Sequence, residues 1–192
     1  LFIIPSPAKA IFAILGSLLF ENFVRRSCSS LETRLRFAPS EVFPYFPFPW
    51  PAKPFPDNPH RAPILNVPNP VERRLAPPTQ VLLDLREDIL LHPERHELTR
   101  ADVGGPTDLY NLFDNPRCEL ASIQRLREAH HAVELAVLRE YGWGQLHGPW
   151  TFDRPWIDGT WRHVPPAATR RAYLERLAAL NHEQAAAAAE SS

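Results

Sequence analysis

The sequence predicts a mostly helical α+β protein. Apolar residues recur at spacings of three and four over 8–26, 79–91, 115–141 and 167–184, a short run over 31–37 alternates apolar and polar residues, and Asp158-Gly159 stands between aromatic stretches as a hairpin turn signal. Composition agrees with a globular chain: 192 residues, 44% hydrophobic and 22% charged, suit one domain or two small ones with a real core. Proline departs from the ordinary at 22 residues, concentrated in the first half and before the last helix. The chain has no Met and opens at Leu1 inside an apolar run, as expected of the carboxy-terminal piece of a longer protein; processing of an N-terminus would give the same start.

Residues 1–4 have strand character, ended by Pro5-Ser6-Pro7. Over 8–26 the period is helical: Ile11, Ile14, Leu18 and Phe23 share a face, and Arg25 and Arg26 complement the negative end of the helix dipole. The apolar run 11–20 falls short of the roughly 20 residues that cross a bilayer, and Lys9 and Glu21 flank it, so no membrane partner is expected. Leu31, Thr33, Leu35 and Phe37 would then line one face of a strand, with Glu32, Arg34 and Arg36 on the other.

Residues 51–78 carry many prolines, each of which fixes φ and removes a donor, and read as an extended linker. The division expected is 1–56, a linker over 57–78, and a helical part over 79–192 with a hairpin near 150–164. Thr79 is the expected N-cap of a short helix ending at His92-Pro93. Gly104-Gly105-Pro106 is a break, and 108–113 is a helical turn or short helix. Asn115-Pro116 reads as N-cap and first residue of a helix to about 141, with Ile123, Leu126, His130, Val133 and Val137 as its seam and Gly142 as its stop. His130 on that seam is expected to be a core histidine bonded to a backbone carbonyl, and His131 points elsewhere, so the pair does not chelate one ion. Trp150, Phe152, Trp156 and Trp161 supply the hairpin, where Arg154 and Arg162 serve either base stacking or cross-strand packing. Pro165-Pro166 opens the last helix, and 185–189 is expected to fray. Cys28 and Cys118 fit no metal spacing, and two isolated thiols are the commoner case in a cytosolic protein, with a disulfide as the alternative.

Net charge is −1, but 1–56 holds six basic and three acidic residues, an excess of three, leaving −4 for the remainder. The excess sits with Glu32, Arg34 and Arg36, about 6 to 7 Å apart along a strand. On charge pattern alone such a face is a solvated one with local ion pairs. Arg also grips the O6/N7 edge of guanine and Glu accepts from the N4 amine of cytosine.

The phrases around this face resemble one family. LRFAPSEVFPYFPFP, residues 35–49, is similar to the "LRY-(S/T)PS-x-x-F-x-T-FPFP" phrase that ends the target-recognition region of large DNA adenine-N6 methyltransferases of type II restriction–modification and related phage-defence systems. Phe37 replaces Tyr, and Pro44-Tyr45 precede the FPFP. DLYNLF at 108–113, LREAHH at 126–131 and YGW at 141–143 resemble the carboxy-terminal "T-x-L-Y-N-x-F … L-R-x-x-H … Y-G-W" segment, and LAALNHE at 177–183 its "L-L-x-L-N-H-x-R" ending. The resemblance implies short strands of a partial target-recognition domain followed by a helical tail. It implies Glu32, Arg34 and Arg36 as base readers, Arg25, Arg26 and Lys53 on phosphates, double-stranded DNA and an upstream or separate catalytic domain as partners, and a cytoplasmic setting.

Catalysis is not expected of this chain. Adenine methylation needs a glycine-rich S-adenosylmethionine (SAM) loop and an Asn/Asp-Pro-Pro-Tyr/Phe motif that holds the flipped base. Asp57-Asn58-Pro59-His60 and Asp114-Asn115-Pro116-Arg117 both lack the second proline and the aromatic, and no GxG loop occurs. By the resemblance SAM belongs to the upstream catalytic domain, with no cofactor or metal in this chain. A second expectation is a protein-interaction module docking through the Pro/aromatic stretch 43–50 and the helical tail.

Overall fold

The computed structural model describes residues 8–27, 30–31, 34–35, 42–43, 45–50, 67–156 and 159–190. Six helices appear among them: α1 (Lys9–Leu15), α2 (Leu18–Ser27), α3 (Asn69–Leu91), α4 (Pro106–Phe113), α5 (Ala121–Glu140) and α6 (Ala167–Glu190). Two 3-10 turns (Pro93–His96 and Gly144–Leu146) and two antiparallel pairs accompany them, β1 (Ser30–Leu31) with β2 (Arg34–Leu35) and β3 (Thr151–Asp153) with β4 (Arg162–Val164). The fold is therefore α+β and mostly helical, as the apolar periods require. No helix among the described residues is long and apolar enough to cross a membrane.

The helix expected over 8–26 is two. Gly16 ends α1, and a Cβ there would stand 3.0 Å from the Phe12 carbonyl oxygen. Ser17 Oγ donates to the Ile14 carbonyl at 2.6 Å and accepts from the Phe20 N–H at 3.2 Å, so it caps α2. Each of these helices also takes a cap from a distant glutamate. Glu72 on α3 accepts from the Lys9 and Ala10 N–H groups, both at 3.0 Å. Glu134 on α5 accepts from Leu18 at 2.8 Å and Leu19 at 3.2 Å. Carboxylates suit helix N-termini because the free N–H groups there present partial positive charge.

The linker expected to reach residue 78 is helical from Asn69 onward. Val71, Leu75, Thr79, Leu82 and Ile89 are buried at helical spacing, and that stripe outweighs four prolines. Pro68 and Pro70 lie at the helix start, where no intrahelical donor is needed. Pro77 and Pro78 leave the carbonyls of Arg73 and Arg74 without intrahelical donors, but both of those residues are exposed. Thr79 is not an N-cap; it is buried mid-helix and donates to the Leu75 carbonyl at 2.6 Å.

Helix α5 begins at Ala121, later than the Asn-Pro signal suggests. Asn115 caps a turn instead: its Oδ1 accepts from the Arg117 N–H at 2.9 Å and its carbonyl from Cys118 at 3.0 Å. The end is as expected. Gly142 takes φ +72°, a value glycine adopts without Cβ strain, and the Trp143 N–H returns to the Leu138 carbonyl at 2.8 Å. Helix α6 continues through the alanines to Glu190, in keeping with alanine's helix preference.

One apolar cluster joins α1, α2, residues 42–50, α3, α4, α5 and α6. Helix α3 packs on both α1 and α5, α1 on α5, α4 on α5, and α6 on α2. Phe43, Phe46, Phe48 and Trp50 are buried in it. Phe46 meets Phe20 edge-on at 4.9 Å and Phe48 at 4.9 Å, so the FPFPW phrase is seated on α2.

Candidate functional site

The run 31–37 does not make one strand. Leu31 pairs directly with Arg34, and Ser30 with Leu35, so the chain reverses between them. The single strand expected there is therefore interrupted between Leu31 and Arg34. Glu32, Arg36 and Lys53 lie outside the described residues; of Arg34 the backbone in β2 is described. Arg25 is engaged within the protein: it pairs with Glu21 at 2.8 Å, and its guanidinium lies 3.7 Å over the Trp156 ring. Arg26 beside it is exposed.

The residues of the DLYNLF and LREAHH phrases form one constellation. Arg127 is 4% exposed, and its guanidinium donates to the carbonyls of Phe113 (3.0 Å), Cys118 (2.9 Å), Asn115 (2.9 Å) and Leu112 (3.3 Å). It thereby closes the C-terminal end of α4 and the turn that follows. His130 Nε2 lies 2.9 Å from Tyr110 Oη, so its partner is a phenol and not the expected carbonyl. Burial holds the His130 imidazole down to about 4, with nearby Arg86 adding to the effect.

His131 turns away, as the spacing implies. It stacks on His163 at 5.3 Å and lies 4.2 Å from Trp150 and 5.9 Å from His147. Burial also lowers His131 and His163 to about 4, so these rings are uncharged at neutral pH. No group of three or more His, Cys, Asp or Glu with metal-holding geometry occurs among the described residues. Cys118 is a buried free thiol.

The second decoy, beginning at Asp114, is a structural joint. Asp114 accepts from the His163 N–H at 2.9 Å and from Arg162 at 3.2 Å, tying the hairpin to α4. Burial raises its carboxyl despite these partners. In the hairpin Arg154 lies 4.6 Å over Trp161 and Arg162 5.8 Å over Trp156, so cross-strand packing occupies the arginines.

A groove went unseen in the sequence because its walls come from α1, α2, α3, α4 and α5. One part, about 480 Å3, is lined by Phe12, Leu82, Arg86, Tyr110, His130 and Val133 among others. A second part, about 460 Å3, continues past Tyr110 and His130 to Asp114, Trp156 and Arg162.

The FPFPW and YGW phrases meet at a second place, beside the residue that follows LAALNHE. Tyr141 Oη donates to the Pro47 carbonyl at 3.0 Å, and Gln184 Nε2 donates to the Phe48 carbonyl at 2.9 Å. The ring of Tyr141 stacks on Trp143 at 4.7 Å. The YGW phrase and the end of the last helix thus grip the backbone of FPFPW. Comparison with protein-family models, with curated proteins and with solved structures returned no match.

Proposed function

We propose that this chain is the sequence-recognition portion of a SAM-dependent DNA adenine-N6 methyltransferase of a restriction–modification or phage-defence system, non-catalytic by itself and acting in the cytoplasm. The observation that supports the reading is the clamp on residues 47 and 48. Tyr141 of the YGW phrase bonds the backbone of the FPFP phrase, and Gln184, the residue directly after LAALNHE, bonds the same backbone one residue on. A chance likeness of short phrases has no reason to converge in space. In this reading the helical part is a platform that fixes the segment following the recognition strands, and Glu32, Arg34 and Arg36 read bases ahead of it. Arg26 and Lys53 remain the phosphate candidates, whereas Arg25 has to leave Glu21 and Trp156 before it can serve as one. SAM and the catalytic motif are supplied by an upstream or separate domain.

The protein-interaction alternative draws less support. Of its aromatic stretch Phe43, Phe46, Phe48 and Trp50 are buried, leaving Tyr45 as the large apolar side chain exposed there among the described residues.

The test joins this chain to its catalytic portion and maps methylated adenines. Arg34→Ala and Arg36→Ala are each expected to lose or relax site choice, at a cost of about 1 to 3 kcal/mol per bidentate base contact. If both variants methylate the wild-type site at the wild-type rate, the base-reading assignment is wrong.

A further inference from the structure

The groove beneath α1 holds a positive group, Arg86, with no counter-ion among the described residues. Three and four positions either side of Arg86 on α3 stand Leu82, Leu83, Ile89 and Leu90, so no carboxylate is available along the helix. No ion pair reaches Arg86 from elsewhere among the described residues. Its guanidinium is nonetheless held in place. It lies 5.4 Å over the Phe12 ring, and its charge acts on the Tyr110 phenol against the effect of burial. Tyr110, which lines the same wall, is bonded on its far side to His130 Nε2 at 2.9 Å. A guanidinium over an aromatic ring, on the wall of an aromatic and aliphatic groove of about 480 Å3, suits one negative charge on an apolar body.

We propose that this groove binds a small organic monoanion, an aryl or alkyl carboxylate whose charged end pairs with Arg86 and whose apolar body lies along Phe12, Leu82 and Val133. A dianion fits less well. Glu21 lines the same groove, its carboxylate already taken by Arg25 at 2.8 Å, and a single guanidinium offsets a single charge. The proposal does not rest on the DNA-recognition reading.

Phenylacetate is the probe, titrated into the full chain up to about 20 mM, which saturates even a millimolar site. Amide shifts in two-dimensional NMR spectra report on Gly16, Leu82, Tyr110 and Val133. Phenylacetate is expected to shift these amides, and its neutral isostere phenylacetamide to bind at least about tenfold more weakly. Arg86→Gln is expected to lose the same factor for phenylacetate and nothing for the amide. Phe12→Ala, a change at a partly exposed position, is expected to weaken both probes, and it supplies the test if Arg86→Gln fails to fold. Absence of shifts in these amides overturns the site, as does equal affinity for acid and amide. Tighter binding of phenyl phosphate than of phenylacetate overturns the monoanion assignment.

Discussion

The Glu134 carboxylate accepts from the Leu18 N–H at 2.8 Å, so the start of α2 is closed by a side chain of α5. Glu134 is 1% exposed, and burial pushes its carboxyl up to about 7, with Glu21 acting in the same direction and the Leu18 and Leu19 N–H groups against it. A carboxyl raised on folding favours the folded state when protonated. Its contribution is complete below the unfolded value of 4.5 and lost as pH rises through about 7. Urea unfolding between about pH 5 and 8 is therefore expected to show wild-type stability falling relative to Glu134→Gln. Parallel curves for the two proteins would mean that Glu134 titrates normally.

His130, His131 and His163 act from the other side. Each is lowered from 6.5 to about 4, first by burial, so each is neutral when folded and takes a proton on unfolding in mild acid. Their contribution is present above 6.5 and lost as pH falls toward 4. The three histidine contributions outweigh that of Glu134 where the two ranges overlap, so the net stability from these groups is expected to rise with pH and level off above about pH 7. His131→Gln removes one of the three groups, and the proton uptake on unfolding at about pH 5 should drop by about one. An unchanged uptake would show that His131 is already charged in the folded protein.

Arg127 meets four carbonyls with one planar group, a geometry that suits guanidinium and not ammonium. Arg127→Ala takes its donor from the buried Phe113 carbonyl and is expected to cost about 1 to 3 kcal/mol. Arg127→Lys should recover only part of that, because a single ammonium cannot span the four oxygens. Thermal unfolding of the two variants settles the point: full recovery in the lysine variant would mean that charge alone is required.

The legibility of the chain divides along physical lines. The α5 seam and the α6 stripe were readable because Ile123, Leu126, Val133, Val137, Tyr173 and Leu177 keep helical spacing and are all buried. The Gly142 stop and the β3–β4 hairpin were readable because their signals are local. The first turns of α3 were missed because proline was weighed above the Val71–Leu75–Leu82 period, although two of the four prolines sit where a helix tolerates them. The Gly16–Ser17 break was missed because the apolar period runs through it, and its decisive cap, Glu134, is 116 residues away. Asn115-Pro116 misled because one Asn serves equally as a helix cap and a turn cap. The charged alternation over 31–37 reads the same whether the chain runs straight or folds back, and only the Leu31–Arg34 pairing distinguishes the two. The Arg86 groove left no local signal, since no two of its helices contribute a recognisable spacing.

The distant glutamate caps also bear on how the chain is made. A growing chain presents α1 and α2 first, yet the partner of Ala10 is 62 residues downstream, that of Leu18 116, and that of Phe48 136. At about 5 to 20 residues per second, roughly 6 to 25 s pass between synthesis of Leu18 and of Glu134. For that interval Ile14, Leu19, Phe20 and the aromatic phrase at 46–50 have none of the covering surface from α5 and α6. The amino-terminal part is thus a late folder by construction, and its burden of unburied apolar surface falls on the ribosome exit and on whatever holds nascent chains there.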